Sequence, residues 1–193
     1  MSPKAADPKV RTALIEAAAR ILADEGPTAL SARRLAREVG ASTTALYTHF
    51  GSMNELRRAV RREGFARFAT HIDRVGRDDD PVVELAALCP AYVDNAFENP
   101  DLYRVMFMEV PLDDEDWATG WDTFERLVAT VQRCLDAGRI PGCPDARQGA
   151  TEIWALTHGA VSLALAGLVP KDDAFQLVGQ TAAGLLMGWG LRS

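Results

Sequence analysis

The chain reads as an all-α protein of about nine helices, with a small three-helix N-terminal domain followed by a larger helical one. Three observations support this. Apolar residues recur at helical spacing through most of the chain. Capping residues, glycines and prolines stand between those segments. No stretch reads as a strand, and there are no internal repeats or low-complexity tracts.

Residues 1–7 read as a short flexible arm. Asp7-Pro8 then opens the first helix, with aspartate as cap and proline at the first helical position. It runs to about Asp24, with Val10, Leu14, Ala17, Ala18, Ile21 and Leu22 in one apolar stripe, and Gly26-Pro27 ends it. Ser31 caps a second helix that places Leu35, Ala36 and Val39 on one face, and Gly40 closes it. Ser42 caps a third, from Thr43 to Phe50. Thr43, Leu46 and Phe50 fall at i, i+3 and i+7 and face inward, which leaves Thr44, Tyr47 and Thr48 on the opposite face beside His49. Three short helices must share one small core, so the first is expected to pack across the other two.

Ser52-Met53-Asn54-Glu55 is a capping-box pattern that opens a fourth helix, reaching about Val75 and carrying Arg57, Arg58, Arg61 and Arg62. A solvated helix face is one reading of that basic cluster. Gly76 to Pro81, with three consecutive aspartates, marks a loop. A fifth helix, about Val82 to Phe97, turns Leu85, Leu88, Cys89, Tyr92, Val93 and Phe97 inward, and Asn99-Pro100 interrupts it. A shorter sixth helix, Asp101 to about Met108, carries Leu102, Tyr103, Val105, Met106 and Phe107 before Pro111. The acidic patch Asp113 to Asp116 suits the N-terminus of a seventh helix, which ends near Gly138. The eighth, about Asp145 to Gly167, is apolar around much of its circumference. The ninth, about Asp172 to Gly188, has Phe175, Val178, Ala182, Leu185 and Leu186 on one face. Two terminal helices with such broad apolar faces call for a partner surface.

With 193 residues the chain is long enough to bury a real core. Its net charge of −6 argues against nucleic acid as a partner, but the distribution of that charge argues the other way. Residues 1–62 carry a balance of +5 and residues 63–193 a balance of −11, a basic head on an acidic body. Cys89, Cys134 and Cys143 are odd in number and widely spaced, which excludes a disulfide framework as the organising device. No apolar run is long enough to span a bilayer, and the N-terminus has no apolar signal core, so a cytoplasmic location without membrane attachment is expected.

An ordinary helical hairpin would account for residues 31–50 taken alone, but the flanks point further. The first-helix pattern RTALIEAAARILADEG, the turn LSARRLAREVGAS, the segment ALYTHFGS and the following NEL together resemble the DNA-binding domain of the tetracycline-repressor (TetR) family over the first 51 residues. The resemblance implies a helix-turn-helix DNA-binding domain at 1–51 and a helical effector-binding and dimerisation domain at 52–193, linked by the fourth helix at about 52–75. Residue by residue, it carries DNA contact onto Arg33, Ser42, Thr43, Thr44, Tyr47, Thr48 and His49. By chemical type, Thr44 and Thr48 suit base edges or a thymine methyl, and Tyr47 and His49 suit phosphates. Arg33 suits either, while Arg34 and Arg37 contribute mainly to the field. Met53 stands where the family often has a lysine that touches the DNA backbone.

The family also implies a two-fold homodimer built on the last two helices, here through Trp154, Val161, Val178, Ala182, Leu185 and Leu186. It further implies a pocket for a small effector in the body. Aromatic and sulfur-bearing side chains concentrate there, Trp117 among them, and most must be core. The pocket candidates are Tyr92, Tyr103, Met106, Phe107, Trp121, Phe124, Trp154 and His158, which suit a mainly hydrophobic effector. Trp154 and His158, followed by Gly159, are four residues apart and share a helix face, and they look like the tryptophan/histidine–glycine signature of one TetR C-terminal subgroup. For His158 a core residue satisfied by a hydrogen bond and a ligand contact are both open. No nucleophile elbow, no glycine-rich phosphate loop and no metal-ligand spacing appears, so no catalytic set, metal or cofactor is expected. The function implied is a sequence-specific transcriptional regulator, most simply a repressor released from a palindromic DNA operator. An activator, an effector-independent regulator and an architectural DNA-binding protein are the alternatives.

Overall fold

The computed structural model describes residues 7–107 and 114–192, apart from the side chains of 114–119. The expected arm, the break at Pro111, and the side chains of the acidic patch and of Trp117 fall outside that description. The described residues form nine α-helices: α1 Pro8–Glu25, α2 Ala32–Val39, α3 Thr43–Phe50, α4 Met53–Arg74, α5 Pro81–Glu98, α6 Pro100–Phe107, α7 Asp114–Asp136, α8 Ala146–Leu165 and α9 Lys171–Gly188. A single 3-10 turn, Pro27–Ala29, joins α1 to α2, and no strand occurs among the described residues.

By packing, the chain divides into two compact units. One comprises residues 1–66 with 99–119, the other 67–98 with 120–193. The division falls inside α4 and assigns α6 to the first unit. It follows contact density, a different criterion from the change of function on which the expected 51/52 boundary rests.

In the first unit each helix start is set locally. The Asp7, Ser31, Ser42 and Ser52 side chains accept backbone N–H groups of Lys9 (2.9 Å), Arg34 (3.4 Å), Ala45 (3.0 Å) and Glu55 (3.1 Å). Each such cap stabilises its helix by about 1 kcal/mol. Gly40 closes α2 at φ 70°, ψ 26°, a left-handed conformation that glycine adopts without a Cβ clash. The core joins Leu14, Ala18, Ile21 and Leu22 of α1 to Leu35, Leu46, Phe50, Leu56 and Val60, and to Leu102 and Val105 of α6. Burying each large side chain there contributes about 1.5–3 kcal/mol. At Gly64 the chain leaves no room for a side chain, because an added Cβ would lie 2.6 Å from Met106 Sδ.

In the second unit, α5, α8 and α9 pack on one another. Pro90 lies inside α5, where it removes one N–H from the helix ladder. The helix continues because Ala86, whose carbonyl loses that bond, lies exposed together with Pro90, so water can satisfy it. Arginines on and just after α7 organise the loop before α5. Arg126 pairs with Asp73 (3.4 Å), Arg133 with the buried Glu84, and Arg139 with Asp80 (2.9 Å). Thr130 Oγ1 donates to the other Glu84 oxygen at 3.1 Å. Burial works to raise the Glu84 pKa, but the donors Thr130, the Asp78 N–H and Arg133 outweigh it and hold the carboxyl below its ordinary value. The C-terminus is tied down by Gly142 N–H to Trp189 O and Arg192 N–H to Arg139 O, both 2.8 Å. All three cysteines are free and buried, and burial pushes the Cys134 thiol up to about 11.

Candidate nucleic-acid interface

α3 is amphipathic in the sense its spacing predicts. Leu46 and Phe50 are buried in the core of the first unit, while Thr44, Tyr47 and Thr48 are exposed, Tyr47 at 47%. Thr48 Oγ1 donates to the Thr44 carbonyl at 2.9 Å, which leaves its methyl group and acceptor capacity facing outward. Ser42 acts as the cap of α3, and Thr43 is half-buried. His49 is half-buried, with its ring 6.0 Å from Phe50. The outward surface of the helix is therefore carried by Thr44, Tyr47 and Thr48.

The arginines that sequence groups together are divided by the structure. Arg34 places its guanidinium fork on Glu25, with Nη1 donating to Oε2 at 2.8 Å and Nη2 to Oε1. The hydrogen bond to Glu25 raises the Arg34 pKa, and the same bond lowers that of Glu25. Arg20 pairs with Glu38 through a single Nη2 contact. In α4 the solvated-face reading holds for Arg62, which is exposed, and not for the cluster as a whole. Arg61 is only 6% exposed, Arg57 Nη2 donates to the Pro27 carbonyl at 3.1 Å, and Arg58 and Arg62 converge on Glu55 at 3.4 and 3.8 Å. The helix lies along the core of the first unit, so its arginine stems are drawn into packing. Met53 is half-buried against the same core. On α2, Arg33 and Arg37 are exposed, and their side chains enter no ion pair or hydrogen bond among the described residues.

The pocket candidates lie in both units. Tyr103, Met106 and Phe107 belong to the first, where Tyr103 and Met106 are buried and the Phe107 ring stands 5.1 Å from Tyr103 and 6.0 Å from Phe65. The other five form one connected aromatic line in the second. Trp121 lies 5.3 Å from Phe124 and Phe124 lies 5.7 Å from Trp154. Trp154 Nε1–H donates to the Tyr92 hydroxyl oxygen at 3.3 Å, and that hydroxyl lies 3.1 Å from His158 Nδ1. Burial lowers the His158 pKa and favours a neutral imidazole. His158 is thus hydrogen-bonded within its own unit. A feature not expected from the sequence is an apolar groove of about 160 Å³ lined by Leu85, Cys89, Val93, Ile153, Phe175 and Val178 with neighbouring small residues. None of the eight candidates lines it. Its signal in the sequence is only the small-residue run of α9, which helical spacing does not distinguish from a partner-facing stripe.

The expected interface residues differ in their exposure. Val161 is 0% exposed, Val178 and Leu186 are buried, and Trp154 turns to Phe124 and Tyr92. Ala182 and Leu185 are half-buried. The exposed apolar side chains of the α8–α9 pair are Leu163 and Met187, the latter 68% exposed, with Ala155, Gly179, Ala183 and Gly184 also exposed.

Residues 14–60 match the family described as bacterial regulatory proteins, tetR family. Residues 85–181 match a tetracyclin repressor-like C-terminal domain. An uncharacterized HTH-type transcriptional regulator of Mycobacterium tuberculosis is 31% identical over 168 residues, which span 84% of this chain and 73% of the relative. Among solved structures, a protein of unknown function from Rhodococcus sp. RHA1 matches with a TM-score of 0.77 at 27% identity, covering 97% of this chain and 98% of the other. PfmR of Thermus thermophilus, a TetR family transcriptional regulator, matches with a TM-score of 0.75 at 20% identity, covering 90% and 97%, which is a likeness of fold.

Proposed function

The chain belongs to the TetR family of bacterial regulatory proteins, and on that footing we propose that it is a transcriptional repressor acting as a homodimer. In this reading residues 1–51 grip double-stranded DNA, and residues 52–193 dimerise and take a small hydrophobic effector. The observation that carries the proposal is the division of α3, with Leu46 and Phe50 holding it in the core while Thr44, Tyr47 and Thr48 stand exposed. A rigid helix offering hydroxyls and a phenol suits the donor and acceptor pattern of a major groove.

One head supplies few contacts, so a two-fold pair of heads on a palindromic site is the arrangement that gives useful affinity. The exposed apolar face of α8 and α9 is the surface for that pairing. The effector site is assigned to the aromatic line of the body, where Tyr92, Trp154 and His158 supply polar groups among the rings Trp121 and Phe124. Effector binding releases DNA by favouring a state with wrongly spaced heads, and only by its difference in affinity for the two states. No step of this mechanism is enzymatic, and the protein works in the cytoplasm. Among the described residues no helix is long and apolar enough to cross a membrane.

Selection of bound fragments from genomic DNA at two salt concentrations tests the proposal. Recovery of a palindrome by the intact chain, lost in Tyr47→Ala/Thr48→Ala, is the expected result. Broad recovery without a motif, strongly weakened by salt, would mean backbone binding alone and would remove the repressor assignment.

A further inference from the structure

The sequence presents the head as a field of eleven lysines and arginines, yet most of the arginines are already held by the chain itself. Arg20, Arg34, Arg58 and Arg62 meet Glu38, Glu25 and Glu55. Arg57 is bonded to the Pro27 carbonyl, Arg61 is buried, and the Arg11 guanidinium lies 5.4 Å over the Phe50 ring. Arg33 and Arg37 differ from all of these. They lie one turn apart on α2, on the side away from the buried Leu35 and Ala36, and both are exposed without an ion pair among the described residues. Their helix leads through Gly40 and the Ser42 cap directly into α3.

We infer that Arg33 and Arg37 together are the phosphate-holding pair of the head, and that Arg34, their neighbour in sequence, takes no phosphate. The inference rests on the DNA-binding reading above and assigns the arginine contacts to phosphate to two residues. An exposed ion pair such as Arg34–Glu25 is worth little by itself, because water screens it. What counts is the exchange. Moving Arg34 to a phosphate would leave the Glu25 carboxylate unpaired near a polyanion, so the gain at one partner is offset at the other. Arg33 and Arg37 have no such partner to leave, and a guanidinium fork matches phosphate oxygens in pairs. Release of counterions on binding should therefore follow these two residues.

The test is the affinity of the full chain for a mixed-sequence DNA duplex, measured by fluorescence anisotropy from about 50 to about 200 mM salt, the range over which phosphate contacts are weakened strongly. Arg33→Gln and Arg37→Gln are each expected to reduce the slope of log K against log salt by about 0.9 per head. The charge-neutral pair Glu25→Gln/Arg34→Gln is expected to leave the slope unchanged. So is Arg77→Gln, which removes one exposed charge from the body. Thermal unfolding of each variant checks that the fold persists. A slope change in Arg33→Gln or Arg37→Gln no larger than in Arg77→Gln overturns the inference. An equal loss in Glu25→Gln/Arg34→Gln overturns it too. Failure of the unaltered chain to bind any duplex in a salt-dependent way would instead sink the DNA-binding reading on which it rests.

Discussion

The Tyr92 hydroxyl oxygen stands 3.3 Å from Trp154 Nε1 and 3.1 Å from His158 Nδ1. An indole N–H only donates, so the phenol oxygen accepts from Trp154 while it serves the imidazole. One hydroxyl thus satisfies two half-buried side chains on α8, Trp154 and His158. Tyr92→Phe keeps the ring, which stands edge-on 5.1 Å from Phe68, and deletes only the oxygen. The expected cost is about 1–3 kcal/mol, the penalty for leaving buried donors and acceptors unpaired. Chemical denaturation measures it, and an unchanged midpoint would show that the two side chains find other partners.

The same cluster predicts an acid-sensitive stability. Burial lowers the His158 pKa from its ordinary 6.5, so the unfolded chain takes up a proton before the folded chain does. The associated stability is present above pH 6.5 and lost as pH falls below it. Thermal unfolding across that window should show a decline that His158→Gln abolishes.

Glu84 titrates in a separate window. Its carboxyl is held below the ordinary 4.5, so its contribution is present above that pH and lost as pH falls through the lowered folded value. At neutral pH, Glu84→Gln should cost about 1.5–3 kcal/mol through the weakened bonds from Thr130 and Arg133. It should also flatten the pH dependence below 4.5 without altering that near 6.5. Loss of both windows in one variant would show that the two groups are coupled.

Gly64 tests the packing of the first unit. A Cβ there meets Met106 Sδ at 2.6 Å and Cγ at 2.7 Å, and Met106 is buried. Gly64→Ala should destabilise by about 1–3 kcal/mol, moderated by the flexibility of the methionine. Combined with Met106→Ala, the cost should be less than the sum of the two single changes, since the clash is removed. Strict additivity would show that the two residues do not meet.

Residues of α8 and α9 separate association from folding. Met187 is exposed, so Met187→Glu should give folded monomers by sedimentation equilibrium. Val178 is buried, so Val178→Glu should unfold the body instead. A stable dimer in Met187→Glu would exclude that end of α9 from the interface.

What the sequence by itself determined is what local physics decides. Each helix of the head starts at a capping side chain a few residues from the N–H it accepts, and the exposed trio on α3 follows from a spacing of less than two turns. Such features depend on residues within one segment, so period and capping chemistry suffice to read them. The family resemblance was legible for the same reason, because its motifs lie in contiguous stretches.

Tertiary structure alone decided which of those features are available to a partner. Arg34 is neutralised by Glu25 nine positions away, Arg57 is bonded to the Pro27 carbonyl thirty away, and Arg133 reaches Glu84 forty-nine away. Likewise Val161 and Val178 have the same apolar character in the sequence as Met187, but they are buried by their own chain and Met187 is not. Charge and hydrophobicity are properties of a residue, whereas a free charge or an exposed apolar face depends on where helices distant in sequence cross. That geometry comes from the packing of whole helices, and no single segment encodes it.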